Sequence, residues 1–493
     1  MNLRRVNEFP WAASLFSVGA AGWLVAFVLE EGSKLRAPTL LLAATATLLA
    51  QAVAAIRIRG ALGSLLLLLA VYWAIGYVAR PSLLLWLKPS PRINDSLADR
   101  RISWDYFAAV SEILERAVPG FLLLLAVALS LRRFAHSNNA GSRGSLIRAD
   151  HGLVLMGLGW LIRAYTGLDG APSQSATLSS TAVVTLTLLP TVAAGLIFIG
   201  VDHLSRSTIT VVVVSEAAWA LIAATKAPIL AIIVFGVVRL FMRGGRVPLR
   251  MVGVYTALAL CAFFAVQRIK TELGILTRTD VVESYYPTVV QFFYPILARF
   301  DALQANVDAV GAGPYSYLSL GEVITHLLQA MLPQQILGEK GQLAGAAWGS
   351  ILRPQAGGPA QAGANLAEGP IAEGWVLAGW AGTVLEILFL AFAIILVARL
   401  FQGRTVFAVA FAVSMTVQPL LFERGMLGIA EGMGKSLQLA AIGSLVLMLL
   451  GASAHGHTLS SKMASHRKSS PKPPYKNPLR TPPNGGHQDS GIS

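Results

Sequence analysis

Residues 207–241 read STITVVVVSEAAWALIAATKAPILAIIVFGVVRLF, and the division of this stretch decides the topology of the whole chain. It is too long for one bilayer crossing, which takes about 20 apolar residues. Lys226-Ala227-Pro228 interrupts it. A proline in the first turn of a helix loses no hydrogen bond, because the N–H it lacks has no partner there anyway. Two readings follow, one long kinked helix or two spans, and the two spans, 207–225 and 227–241 with a turn at Lys226, are preferred.

Working outward, the same criterion gives ten further spans: 11–29, 38–56, 60–79, 107–131, 151–168, 178–201, 251–267, 381–401, 405–421 and 435–451. The expected fold class is all-α, a polytopic transmembrane bundle of about 12 helices. The 493 residues are 55% hydrophobic and 13% charged, about half the charge of an ordinary soluble domain. A water-soluble fold is thereby excluded. The apolar runs are too long and continuous for a β-barrel, which shows short alternating segments. The first run carries no small-residue cleavage pattern and reads as an uncleaved span.

Charge supports the division at Lys226. With the N-terminus inside, the internal loops and C-terminal tail hold 21 basic and 4 acidic residues, leaving 18 basic and 21 acidic residues elsewhere. The balances are +17 and −3. One span fewer spoils that separation, so the positive-inside rule favours both termini in the cytoplasm. The net charge of +14 is accounted for in this way and does not call for nucleic acid. The single cysteine, Cys261, lies in an apolar run and excludes an intrachain disulfide or a cysteine metal site.

Outside the spans, 268–380 is the largest segment. Within it, 283–310 spaces its aromatic and aliphatic residues at near-helical intervals and reads as one or two amphipathic helices lying on the membrane or capping the bundle, and 318–332 is a second amphipathic stretch. Residues 341–371 are rich in Gly, Ala, Gln and Pro and read as an irregular loop. The expected organisation is transmembrane helices 1–9 over 1–267, a large periplasmic loop over 268–380, helices 10–12 over 381–451, and a basic disordered cytoplasmic tail over 452–493.

Charges inside spans are costly and usually paired or functional. Arg163 is as well placed to snorkel to the outer interface as to serve a site. Glu216, mid-span, fits a buried ion pair as well as a site. Glu386 is near enough to the outer end of its span to reach the interface. The outer face also gathers Lys226, Arg268, Lys270, Arg278, Arg299 and Arg424, with Glu368, Glu373 and Glu423 as acids on the same side. Guanidinium groups at one membrane face suit a pyrophosphate, which they can grip bidentately. There is no phosphate-binding glycine loop, dinucleotide fingerprint or histidine pair with metal-ligand spacing in a span or outer loop. Glu30-Glu31 after the first span is too bare a signal to indicate a dolichyl-phosphate-sugar transferase.

Four short motifs, in order, carry a resemblance. Thr225-Lys226-Ala227-Pro228-Ile229-Leu230 opens a span. Arg299-Phe300-Asp301 lies in the aromatic-rich part of the loop. Glu373-Gly374-Trp375-Val376-Leu377-Ala378-Gly379-Trp380-Ala381-Gly382 enters a span, and Phe422-Glu423-Arg424-Gly425 follows the penultimate one. Across residues 150–450 the chain resembles the Wzy-type polymerases of O-antigen and exopolysaccharide repeat units. Lys226 departs from the arginine common in that family. The resemblance implies a metal-independent glycosyltransferase of the bacterial inner membrane, without cofactor. Its substrate would be an undecaprenyl-pyrophosphate-linked oligosaccharide, and a chain-length regulator and a flippase would be its protein partners. It implies Glu373 as base and Arg299 and Arg424 as catalytic cations. Arg268, Lys226, Arg163 and Trp375 would bind substrate, with Trp348 also a candidate to stack on sugar and Trp380 rather an interfacial anchor. An O-antigen ligase shares the donor, with His326 as its candidate histidine. A transporter or flippase for the same lipid would instead show inverted repeats and broken helices near the midplane, and neither is clear in the sequence.

Overall fold

The computed structural model describes residues 10–30, 32–58, 60–90, 99–134 except 100 and 103, 145–167, 185–222, 227–243, 286–299, 302–332, 344–353, 368–417 and 420–466, with isolated positions between 257 and 265. It divides into two compact units, Met1–Leu447 and Met448–Ser493, and the second is helical through His466. Among the described residues there are helices and no strands. In order they are α1 (Pro10–Val28), α2 (Arg36–Arg57), α3 (Ala61–Ala74), α4 (Arg80–Leu87), α5 (Tyr106–Leu131), α6 (Ala149–Gly167), α7 (Leu189–Gly200), α8 (Arg206–Ile222) and α9 (Ala227–Met242). Then follow α10 (Thr288–Arg299), α11 (Ala302–Ala312), α12 (Leu320–Met331), α13 (Ala344–Ile351), α14 (Pro370–Phe401), α15 (Val406–Val417), α16 (Leu420–Glu423) and α17 (Met426–His466).

Among the described residues, six helical stretches are long and apolar enough to cross a membrane: α1, α2, the continuous run from α3 through α4, α5, α14 and the first part of α17. Helices α7, α9 and α15 are shorter apolar helices. Of the twelve expected spans, eleven contain a described helix, and 251–267 lies outside the described residues apart from isolated positions. Large apolar side chains such as Phe27, Leu49, Leu385, Phe392, Leu445 and Met448 stand exposed on the outer helix faces. That is costly in water and expected of a surface bathed in lipid. Helices meet through small residues, as membrane helices do. A Cβ on Gly19 would sit 2.2 Å from Thr47 Oγ1, so α1 and α2 cross in close contact there.

The stretch at 207–241 forms two helices, α8 and α9. Arg239 near the end of α9 donates to the carbonyls of Phe198, Val201 and Asp202, just before the start of α8. The start of one helix and the end of the other thus lie together, so the chain reverses between them. The same end of the bundle gathers other turns. Gly60 N–H donates to Phe241 O and Leu146 N–H to Gly200 O, and Gly60 approaches Gln402. These turns carry Arg57, Arg148, Arg206, Arg243 and Arg404, all from the basic set that the charge count assigns to one side.

Candidate functional site

The opposite end holds the site, and it is built from a broken helix. Within α14 the backbone leaves the helical region at Ala378 (φ −155°, ψ 32°) and Gly379 (φ 58°, ψ −137°). The second pair is essentially a glycine conformation. In a continuous helix residues 374 and 382 would stand about 12 Å apart along the axis. Here a Cβ on Gly382 would lie 2.0 Å from the Gly374 carbonyl oxygen. The two backbones touch, so α14 is a helical hairpin with its short arm folded against its long arm.

Each arm carries a glutamate to the start of α17. The first N–H groups of a helix have no intrahelical acceptor and favour negative charge. Met426 N–H donates to Glu386 Oε2 at 2.7 Å, and Leu427 N–H to Glu373 Oε1 at 3.3 Å. Gly425 makes room for this arrangement, since a Cβ there would lie 1.7 Å from Glu373 Oε2. Arg424, one residue earlier, donates through Nη1 to Glu368 Oε2 at 2.8 Å. Glu368 packs along α17 at Gly428, where a Cβ would meet its Oε1 at 2.7 Å.

Glu368, Glu373 and Glu386 are 0%, 0% and 1% exposed. Each keeps one oxygen without a hydrogen-bond partner: Glu368 Oε1, Glu373 Oε2 and Glu386 Oε1. Buried polar atoms are normally satisfied, so three such oxygens at one helix start mark a place able to accept a proton or a ligand's donors. Burial pushes the Glu368 carboxyl above its ordinary value, with the Arg424 charge opposing. No group of three His, Cys, Asp or Glu among the described residues is arranged to hold a metal ion.

Loop elements cover this cluster. Ser316 N–H donates to Val376 O, and Tyr317 OH to Ala344 O at 3.0 Å. Burial, then the charges of Glu373 and Glu368, raise the Tyr317 phenol far above its ordinary value, so it stays protonated. Glu431, on the second turn of α17, bonds His326 Nε2 at 2.9 Å and accepts Ala344 N–H at 2.7 Å. A second network ties the loop to Arg101, which precedes α5. Asp308 accepts from Arg101, Arg353 and Trp348 Nε1, the last at 2.9 Å.

The structure thus brings Glu373 and Arg424 together and adds Glu386, which was expected to reach the interface and is instead buried because α17 supplies it with a backbone donor. Arg163 does not snorkel. It is fully buried on α6 and pairs with Glu216 at 2.6 Å, while Thr187 O and Thr191 Oγ1 accept its remaining donors. Trp375 has one ring face taken by the Arg116 guanidinium, 3.9 Å from the centroid. Trp348 is fully buried and donates to Asp308, which removes it from sugar stacking. Trp380 stands 44% exposed at the hairpin turn, as an interfacial anchor would. Lys226 and Arg268 lie outside the described residues, as does the side chain of Arg299, whose backbone ends α10. Glu431, Tyr317 and Asp308 were missed. Each is one ordinary polar residue in a helix or loop, and nothing local distinguishes it. No family model matches the chain, and neither a curated protein nor a solved structure matches it.

Proposed function

We propose that the chain is a repeat-unit polymerase of the Wzy type, a twelve-span protein of the bacterial inner membrane with both termini in the cytoplasm. It would join undecaprenyl-pyrophosphate-linked oligosaccharides into O-antigen or exopolysaccharide at the periplasmic face. The observation that supports this most is the meeting of two family-like motifs. Glu373 and Arg424, about fifty residues apart in the chain, flank Gly425 at the end of the bundle that carries the large loop.

In the proposed reaction an acceptor hydroxyl oxygen bonds to the anomeric carbon of the donor sugar. The bond from that carbon to the pyrophosphate oxygen breaks, and its electron pair leaves with undecaprenyl pyrophosphate. The hydroxyl proton passes to Glu373, whose Oε2 is the oxygen left open. Arg424, with Arg299 and Arg268 as further cations in this reading, would neutralise the departing charge. Glu368 would hold Arg424 until the pyrophosphate arrives. A flippase and a chain-length regulator would be its partners in the membrane.

One observation favours a transporter for the same lipid: a helix that reverses at Ala378-Gly379 beside buried carboxylates, as broken helices do at substrate and ion sites in carriers. Deleting the gene and locating the lipid-linked repeat units separates the two. A polymerase leaves single units on the outer face, whereas a flippase leaves them on the inner face. Complementation with Glu373→Gln or Arg424→Lys should then fail to restore long polymer at normal protein abundance. Full ladders from both variants would remove this site from the reading.

A further inference from the structure

Helix α12 shows three distinct faces. Val323 and Ala330 are buried, and between them His326 reaches Glu431 of α17. The contact is close: a Cβ on Gly434 would lie 2.2 Å from Ala330 O. Thr325 and Glu322 look outward on the polar side. The third face is apolar and open. Leu320 is 76% exposed, Ile324 50%, Leu328 65% and Met331 38%. Their spacing of four, four and three residues is that of one stripe along a helix.

The place of this helix along α17 follows from what it touches. Glu431 and Gly434 lie five to eight residues into α17, a helix long and apolar enough to cross the membrane. At 1.5 Å per residue that is roughly 8–12 Å along the helix from its start. Interfacial helices bury their apolar face about 5–10 Å into the boundary between headgroups and acyl chains. Farther along, α17 itself exposes Ile442, Leu445 and Met448. Open apolar side chains on α12 and on α17 are both expected of surfaces that meet lipid.

From these contacts we propose that α12 is an interfacial helix whose Leu320, Ile324, Leu328 and Met331 stripe rests in lipid at this end of the bundle. It docks on α17 through His326 and Ala330. It and the Tyr317 turn before it then form the wall between the buried carboxylates and the bilayer. A lipid-borne ligand would meet this wall first. The proposal stands on the membrane character of the bundle and not on the polymerase reading.

Site-directed spin labelling of the full chain in phospholipid nanodiscs tests it. In a Cys261→Ala background, single cysteines replace Ile324 and Leu328 on the stripe, and Glu322 and Thr325 on the polar face. Collision rates with oxygen, which concentrates in lipid, and with a water-soluble nickel chelate are compared at each label. The ratio should favour oxygen several-fold at 324 and 328 and the chelate at 322 and 325. Equal ratios on the two faces would overturn the proposal, as would immobilised stripe labels shielded from both reagents, which would indicate a protein partner on the stripe. Ile324→Ser and Leu328→Ser give an independent arm. Both should weaken binding of purified protein to a fluorescent anionic phospholipid without lowering its melting temperature. Unchanged lipid binding would count against the proposal.

Discussion

Gly425→Ala is the sharpest perturbation available at the site. The added methyl would start 1.7 Å from Glu373 Oε2, 2.6 Å from its Cδ and 2.9 Å from its Cβ. Ordinary contact begins at about 3.4 Å, so roughly 1.7 Å of movement is required. Glu373 is wholly buried and hydrogen-bonded to Leu427 N–H, so it cannot swing into solvent. Either its carboxylate leaves that donor or the start of α17 shifts, carrying Arg424 with it. Overpacking of a buried site costs about 1–3 kcal/mol. A misplacement of about 1 Å in a catalytic group costs on the order of a hundredfold in rate. We expect Gly425→Ala to lower the melting temperature of the purified protein and, on the proposed polymerase reading, to collapse the polysaccharide ladder to short products. Gly157→Ala is the control, because nothing lies within 4 Å of a Cβ there. A Gly425→Ala protein that melts and polymerises like wild type would refute the packing argument, whatever the reaction proves to be.

Removing one partner of the buried Arg163–Glu216 pair, as in Glu216→Leu, should cost about 3–5 kcal/mol. Replacing both with Arg163→Met and Glu216→Leu should recover most of that in thermal unfolding, and equal losses in the single and double variants would contradict it. Gly382→Ala forces a methyl to within 2.0 Å of the Gly374 carbonyl, so the α14 hairpin should open and expression of folded protein should fall. Folded yield equal to wild type would rule out the close crossing. Burial pushes Asp99 up, but the hydrogen bonds and charge of Arg101 outweigh it and hold the carboxyl below its ordinary value. Its contribution is therefore present above about pH 4, the unperturbed aspartate range, and is lost as pH falls through the lower folded value. Tryptophan fluorescence in wild type but not in Asp99→Asn should show a step there, and identical acid titrations would dismiss it.

Much of the helical layout was legible in the sequence because a bilayer leaves a continuous apolar run few options. Every backbone group must be satisfied within the segment, so such a run becomes a helix. The division into α8 and α9 was legible for a local reason, the position of Pro228 in the first turn of α9. Arg163 and Glu216 stood out as charges in apolar runs, but only packing of α6 against α7 and α8 made them partners, across 53 positions of chain. The hairpin in α14 was hidden. Hydropathy sums side chains, and the reversal at Ala378-Gly379 is a backbone event with apolar residues on both sides. Glu368 and Glu373 were legible as outer acids, and Glu386 only as a charge near the end of a span. Their convergence depends on which N–H groups the start of α17 leaves unpaired and on the space that Gly425 leaves open. Those are contacts between segments distant in the chain, and only the tertiary structure decides them.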